Sequence, residues 1–171
     1  YYYVDTRELV GVGNVQISNP DYKLISDSLT YDLYSNIARF LTKTYIWNAK
    51  GEILIAEAGE YRQNTTEYKF TKDAYIITAY QEIWADTLDY NSQTEDAIAR
   101  SNVQLRDDDQ KVMAFGDYAE YWGLFQSALL TKEPTLLRFD PSQDSTYLSS
   151  DTIFLYSIDK NAIFEGLIDP E

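Results

Sequence analysis

Along most of the chain, apolar and polar residues alternate with a period of two, the pattern of strands that turn one face inward. Leu9 and Gly11, Ala38 and Phe40, Tyr68 and Phe70, Ala97 and Ala99, and Ala128 and Leu130 hold apolar positions, while Val10, Arg39, Lys69, Ile98 and Leu129 between them vary freely. A second set shares a face in the same way: Leu24, Leu54, Ile83, Ala114 and Leu148, each followed two residues on by a small residue, Ser26, Ala56, Ala85, Gly116 or Ser150. An acid comes next in each case, Asp27, Glu57, Asp86, Asp117 or Asp151. From the small residue, the inward column resumes at Leu29, Gly59, Leu88, Ala119 and Ile153, three steps on instead of two. An odd step breaks the alternation, so the acid column predicts a bulge or bend that re-aims the strand.

Turn residues separate these strands at Asn19-Pro20-Asp21, Asn48 to Gly51, Asp107-Asp108-Asp109 and Asp140-Pro141-Ser142, with another set at Ser35-Asn36, Asn64-Thr65-Thr66 and Asn91-Ser92-Gln93. The whole arrangement recurs. The positions Gly13, Thr42, Thr71, Ser101 and Thr131 stand 29, 29, 30 and 30 residues apart, and a tyrosine precedes them at Tyr2, Tyr31, Tyr61, Tyr90 and Tyr121. Leu155 takes the tyrosine's place in the last unit. A fixed period of this size means stacked supersecondary units. Each unit supplies about two strands, which predicts an all-β fold, a twisted, repeat-built roll of about five repeats of roughly 30 residues. We expect one domain over residues 1–157, beginning in mid-repeat, with residues 158–171 as a tail or the start of a further region.

Composition narrows what such a roll can do. Cysteine and histidine are both absent, so thiol chemistry, disulfides, thiolate metal sites and the commonest general base are excluded together. A formal net charge of -14 with only 14 Lys and Arg argues against nucleic acid and against attraction to an anionic membrane surface. No apolar run approaches the roughly 18 residues of a membrane-spanning helix.

The unit written as a small residue, Asp, x, Leu, x, Tyr, a polar turn, Ala-x-Ala-x and Gly/Ser-Asn-Val-x-Leu resembles the OstA/LptA family. It is plainest in ISDSLTYD, WADTLDYNSQTEDAIARSNVQL, GVGNVQI and TKEPTLLRFDPSQDSTYLSSDTIFLYS. The resemblance runs from Tyr2 to about Tyr156; Gly-Asn-Val is intact only at Gly13-Asn14-Val15. It implies a β-jellyroll, a bent double sheet open along one side, whose apolar interior shelters lipid acyl chains. By the same resemblance the chain would be a periplasmic carrier of lipopolysaccharide in outer-membrane biogenesis, with association to the outer membrane as a further expectation. Its partners would be lipopolysaccharide or lipid A, and other β-jellyroll proteins or further copies joined end to end by strand pairing.

The residues expected to line such an interior are Leu24, Ser26, Leu54, Ala56, Ile83, Ala85, Ala97, Ala99, Ala114, Gly116, Ala128, Leu148 and Ser150. Small inward residues leave space for a guest, although small and large side chains interdigitating in a closed core would give the same pattern. We expect no catalysis, no metal and no cofactor. Glycosidases place two carboxylates about a scissile bond, but one acid per repeat at constant phase is what a structural bend produces. Asp107-Asp108-Asp109 has the oxygen chemistry of a calcium ligand set, and equally that of a solvated hairpin tip. The alternative to lipid transport is a β-solenoid scaffold or a carbohydrate-binding surface protein. Aromatic residues pointing inward would favour lipid, and outward rows would favour sugar.

Overall fold

A computed structural model describes residues 2–3, 7–140 and 143–156. The expected turn at Asp140-Pro141-Ser142 lies partly outside them, and the tail over 158–171 wholly so. Strand β1 (Tyr2–Tyr3) leads into a long hairpin, β2 (Glu8–Ser18) and β3 (Tyr22–Asp32). Short strands follow in couples: β4 (Ile37–Phe40) and β5 (Thr44–Asn48), β6 (Ile53–Ala56) and β7 (Ala58–Arg62), β8 (Glu67–Lys72) and β9 (Ala74–Ile77), β10 (Gln81–Ala85) and β11 (Thr87–Asn91). A second long hairpin, β12 (Ala97–Asp107) and β13 (Val112–Trp122), precedes β14 (Ser127–Thr131), β15 (Thr135–Asp140), β16 (Gln143–Ser149) and β17 (Thr152–Tyr156). The one helical element among the described residues is a 3-10 turn at Gly123–Phe125.

All seventeen strands belong to one hydrogen-bonded, antiparallel sheet, creased lengthwise into two layers. The front layer runs from the first half of β2 through the second half of β3, β4, β7, β8, β11, the first half of β12, the second half of β13 and β14 to β17. The back layer runs from the second half of β2 through the first half of β3, β5, β6, β9, β10, the second half of β12, the first half of β13 and β15 to β16. This is the all-β roll that the repeat predicts, in the open jellyroll form that the family resemblance implies.

The crease falls on the acid column. Register shifts between Val12 and Val15 and between Arg100 and Val103 face Asp27 and Asp117 respectively. Elsewhere Glu57, Asp86 and Asp151 sit in the short breaks between strands. The Gly13-Asn14 and Ser101-Asn102 pairs supply the bend: both residues of each are left-handed, at φ 79 and 48 and φ 61 and 52. Glycine and asparagine tolerate that region with least strain, which explains why the repeat writes Gly-Asn or Ser-Asn there. At the fifth bend the left-handed pair is Lys132-Glu133, and after β8 it is the single residue Asp73, so those bends fall one or two residues beyond Thr131 and Thr71.

Opposite the crease, hairpin tips line both layers. Asparagine and aspartate oxygens bind them locally: Asn19 Oδ1 accepts from the Asp21 and Tyr22 amides, and Asn91 Oδ1 accepts from those of Gln93 and Thr94. These side-chain turns are why polar clusters end each strand.

Candidate functional site

Three inward rows define the space between the layers. In the front layer the tyrosine column lies in strict register, Leu9, Tyr31, Ala38, Tyr61, Tyr68, Tyr90, Ala97, Tyr121, Ala128 and Leu155, each directly opposite the next. The Tyr2 backbone extends it by pairing with Leu9. Beside it, nearer the crease, runs Leu29, Phe40, Gly59, Phe70, Leu88, Ala99, Ala119, Leu130 and Ile153. The back layer contributes an aliphatic ladder, Ile17, Leu24, Ile46, Leu54, Ile76, Ile83, Leu105, Ala114, Leu136 and Leu148.

Exposure changes along that ladder. Leu24, Ile46, Leu54 and Ile76 are sealed, whereas Ile83, Leu105 and Leu136 are half-buried and Leu148 is 51% exposed. The sealed stretch is closed on its open side by contacts between the layers. Tyr22 of the back layer packs edge-on to Tyr61 of the front at 4.8 Å, and Tyr61, Tyr68 and Tyr90 stack in series at 4.4 and 6.1 Å. The Tyr90 hydroxyl donates to both carboxylate oxygens of buried Glu52, at 3.0 and 2.8 Å, and the Asn48 amide donates to the same carboxylate. Lys50 completes the closure with a 2.5 Å ion pair to Glu95 on a front-layer turn. Burial raises the hydroxyl pKa of all four of these tyrosines: Tyr22 is pushed up to about 12, and Tyr90 is pushed further by the Glu52 charge.

Beyond Glu52 and Tyr90 the layers part. The equivalent back-layer lip is Thr78, Gln81 and Asp107, and these side chains bond along their own layer: Gln81 Nε2 donates to Asp107 Oδ2 at 2.8 Å, and Thr78 Oγ1 accepts from the Gln81 amide. Between them and the front layer lies a groove of about 490 Å³. Ile83, Leu105, Ala114 and Val112 form its back wall, and Tyr121, Ala128 and Leu155 its front wall. Its mouth is polar, with Thr78, Gln81, Asp107, Asp109 and Gln110. A second parting at the other end, between Leu9, Tyr31, Val15 and Ile17, holds about 570 Å³ beside the first long hairpin.

The residues expected to line the interior fall into distinct places. Ile83, Ala114 and Ala128 border the groove. Leu24, Leu54, Ala97 and Ala99 lie buried in the closed interior. Ser26 and Ala56 are buried beside the crease, where Ser26 Oγ bonds to Thr42 and Thr44 hydroxyls at 3.0 and 2.8 Å. Ala85 and Gly116 also flank the crease, and Leu148 and Ser150 are exposed near the C-terminal edge. Leu105, Tyr121 and Leu155 complete the groove but were not among the expected residues. Tyr121 and Leu155 stand in the tyrosine column, and Leu105 follows Val103 by the same period of two, so the signal for all three was present. Glu52, which closes the interior, had a signal as well: it is an acid at an inward position, two residues before Leu54.

Among the described residues there is no group of acids placed to hold a metal ion and no helix long and apolar enough to cross a membrane. The Asp107-Asp108-Asp109 tip is occupied locally: Asp107 accepts from Gln81 and the Gln110 amide, and Asp108 pairs with Arg106.

The fold and groove together define a creased, antiparallel β-roll with an apolar space between its layers. A family model described as OstA-like protein matches residues 1–86, half of the chain. The chain belongs to the OstA-like family, which is tied in general to lipopolysaccharide transport. No curated protein matches it. The matched stretch covers most of the closed region, up to but not including Tyr90, and the groove is built mostly from the residues that follow it.

Proposed function

We propose that the groove holds the acyl chains of an amphiphilic lipid of the lipopolysaccharide class, and that the chain works as a periplasmic carrier beside other β-jellyroll proteins. The observation that carries this reading is the continuity of the aliphatic ladder. The row that is core from Leu24 to Ile76 becomes an accessible wall at Ile83 and Leu105, facing Tyr121, Ala128 and Leu155. Apolar surface left open in this way is stabilised by a guest, at about 0.8 kcal/mol per methylene buried. A volume near 490 Å³ lies within the usual range for small-molecule sites. The polar mouth suits an amphiphile whose head stays in water. Strand ends suit assembly: among the described residues β16 and β17 each pair on one side only, and such edges recruit further strands.

The test is displacement of a fluorescent twelve-carbon fatty acid by lipid A, with wild type and Ala128→Trp compared. Wild type should bind the probe saturably and release it to lipid A. Ala128→Trp fills the groove from its front wall, so it should lose the probe while keeping the wild-type urea midpoint. Absence of saturable binding by the wild type, or equal binding by the variant, overturns the reading.

A further inference from the structure

The two outer faces of the roll differ in kind. Beyond Asp89 the front layer's outer row is apolar at Ile98, Leu129 and Phe154, but from Arg39 to Asp89 it is charged and in register, Arg39 opposite Glu60, Glu60 opposite Lys69, Lys69 opposite Asp89, with ion pairs at 3.3 Å for Arg39–Glu60 and 2.8 Å for Arg100–Asp89. Such a face is stable in water without a partner. The back layer's outer row is Ile25, Tyr45, Ile55, Tyr75, Trp84 and Gln104, likewise in register. Next to it, along the crease, stands a row of polar and charged side chains, including Lys43, Glu57, Asp73, Asp86 and Asn102. The two rows wall a trench of about 480 Å³ whose floor is the backbone of Ala56, Ala74 and Ala85.

One aromatic pair in this row is available. Lys43 lies over the Tyr45 ring and Lys23 over Trp47, both at 5.6 Å, so those rings already face cations. Tyr75 and Trp84 lean on each other at 4.8 Å and 42°, and Trp84 remains 47% exposed within the trench. Facing them is a planar hydrogen-bonding group, the Asp86 carboxylate, held by Asn102 Nδ2 at 3.0 and 3.1 Å, and the Gln104 amide stands beside Trp84 in the aromatic row.

We propose that this trench is a saccharide-binding site, in which a neutral oligosaccharide lies along the crease with the apolar face of a ring on Trp84 and Tyr75 and its hydroxyls on Asp86, Asn102 and Gln104. A sugar ring has an apolar face and an edge of hydroxyls, and a trench with one aromatic wall and one wall of amides and carboxylates is complementary to both. A protein partner would match such a face less well, because burial would strip water from the Asp73 and Asp86 carboxylates, which with Glu57 outnumber Lys43, the one lysine among the trench's lining residues. The same carboxylates repel phosphorylated or acidic glycans, which fixes the preference for neutral ones. Successive strands, about 4.8 Å apart, repeat the trench on the scale of a sugar ring, so a chain can engage several rungs. The site is separate from the interior groove and stands without it.

The experiment is calorimetric titration with two soluble hexasaccharides, one of 1,4-linked glucose and one of 1,4-linked N-acetylglucosamine. Wild type should bind at least one. Trp84→Ala, an outward position whose loss leaves the core intact, should weaken binding about tenfold, the upper range of a single aromatic contact, and Trp84→Tyr should restore most of it. Gln104→Ala should weaken it less, and Ala128→Trp in the groove should leave it unchanged. Failure of the wild type to bind either sugar, equal binding by Trp84→Ala, or a loss in Ala128→Trp would each overturn the proposal; none of these outcomes bears on acyl binding.

Discussion

The rungs from Leu24 to Ile76 and those from Ile83 to Leu155 are built from the same repeat, with the same inward columns and the same crease, yet one set is a closed core and the other an open groove. The difference lies in what the lips do. In the closed region Tyr22 and Glu52 reach across to Tyr61 and Tyr90, whereas in the open region Gln81 and Asp107 bond to each other along one layer. It lies also in volume: Phe40, Tyr68 and Phe70 fill the closed interior, and Ala114 and Ala128 stand at the groove. A repeat can therefore preserve its backbone while a few substitutions at fixed columns convert packing space into binding space.

The largest effect should come from emptying the closed region. Phe70→Ala removes a side chain that is 1% exposed between Phe40 and Tyr68, and it should cost about 3–5 kcal/mol by urea denaturation. Leu155→Ala, half-buried on the groove wall, should cost about 1 kcal/mol, because it enlarges a space that is already open. Equal costs would erase the distinction between the two regions.

The closure itself comes next. Tyr90→Phe takes both hydroxyl hydrogen bonds from the buried Glu52 carboxylate and should cost about 1–3 kcal/mol. Tyr121→Phe, in the same column but on the groove, should change stability by less than about 0.5 kcal/mol. Melting curves of the two variants give the comparison directly, and a Tyr90→Phe protein as stable as wild type would remove Glu52 from the account.

Alkaline pH should act on the closed region with a smaller and graded effect. Burial holds the hydroxyl pKa of Tyr22 at about 12 against an ordinary 10.0, and shifts Tyr61, Tyr68 and Tyr90 in the same direction. A group whose pKa is raised by folding contributes stability that is fully present below its unfolded value and is lost as pH rises through the folded one. Stability should therefore be flat from neutral pH to about 10, the unfolded tyrosine value, and fall above it, with a class of tyrosines ionising only as the chain unfolds. Absorbance at the phenolate band, followed beside circular dichroism, checks this; a single early titration of all tyrosines would contradict it.

Much of the fold was legible in the sequence for a physical reason: a buried face imposes a period of two, and a crease imposes an odd step with left-handed residues. The acid column and Gly13-Asn14 carried that information locally. What separates groove from core was not legible in the same way, because it depends on residues opposed across the layers. Tyr90 and Tyr121 occupy one column, and so do Leu54 and Ile83; only the neighbour on the other layer tells them apart. The small-residue column was open to two readings, and the structure places Ser26 and Ala56 against the crease, where small side chains let the layers turn. The outward aromatics Tyr75 and Trp84 occupied positions that vary between repeats and so carried no column signal.

The central claim is that one interior is shut and the other accessible, and the absence of cysteine from the chain makes it directly measurable. Leu155→Cys and Leu54→Cys each introduce a single thiol, one on the groove wall and one in the closed core. Reaction with a thiol reagent should be fast for Leu155→Cys and slowed by lipid A, while Leu54→Cys should react only at the rate of global unfolding, with lipid A leaving no direct shield at that position. Equal rates in the two variants, or a groove thiol that lipid A fails to protect, would contradict the account.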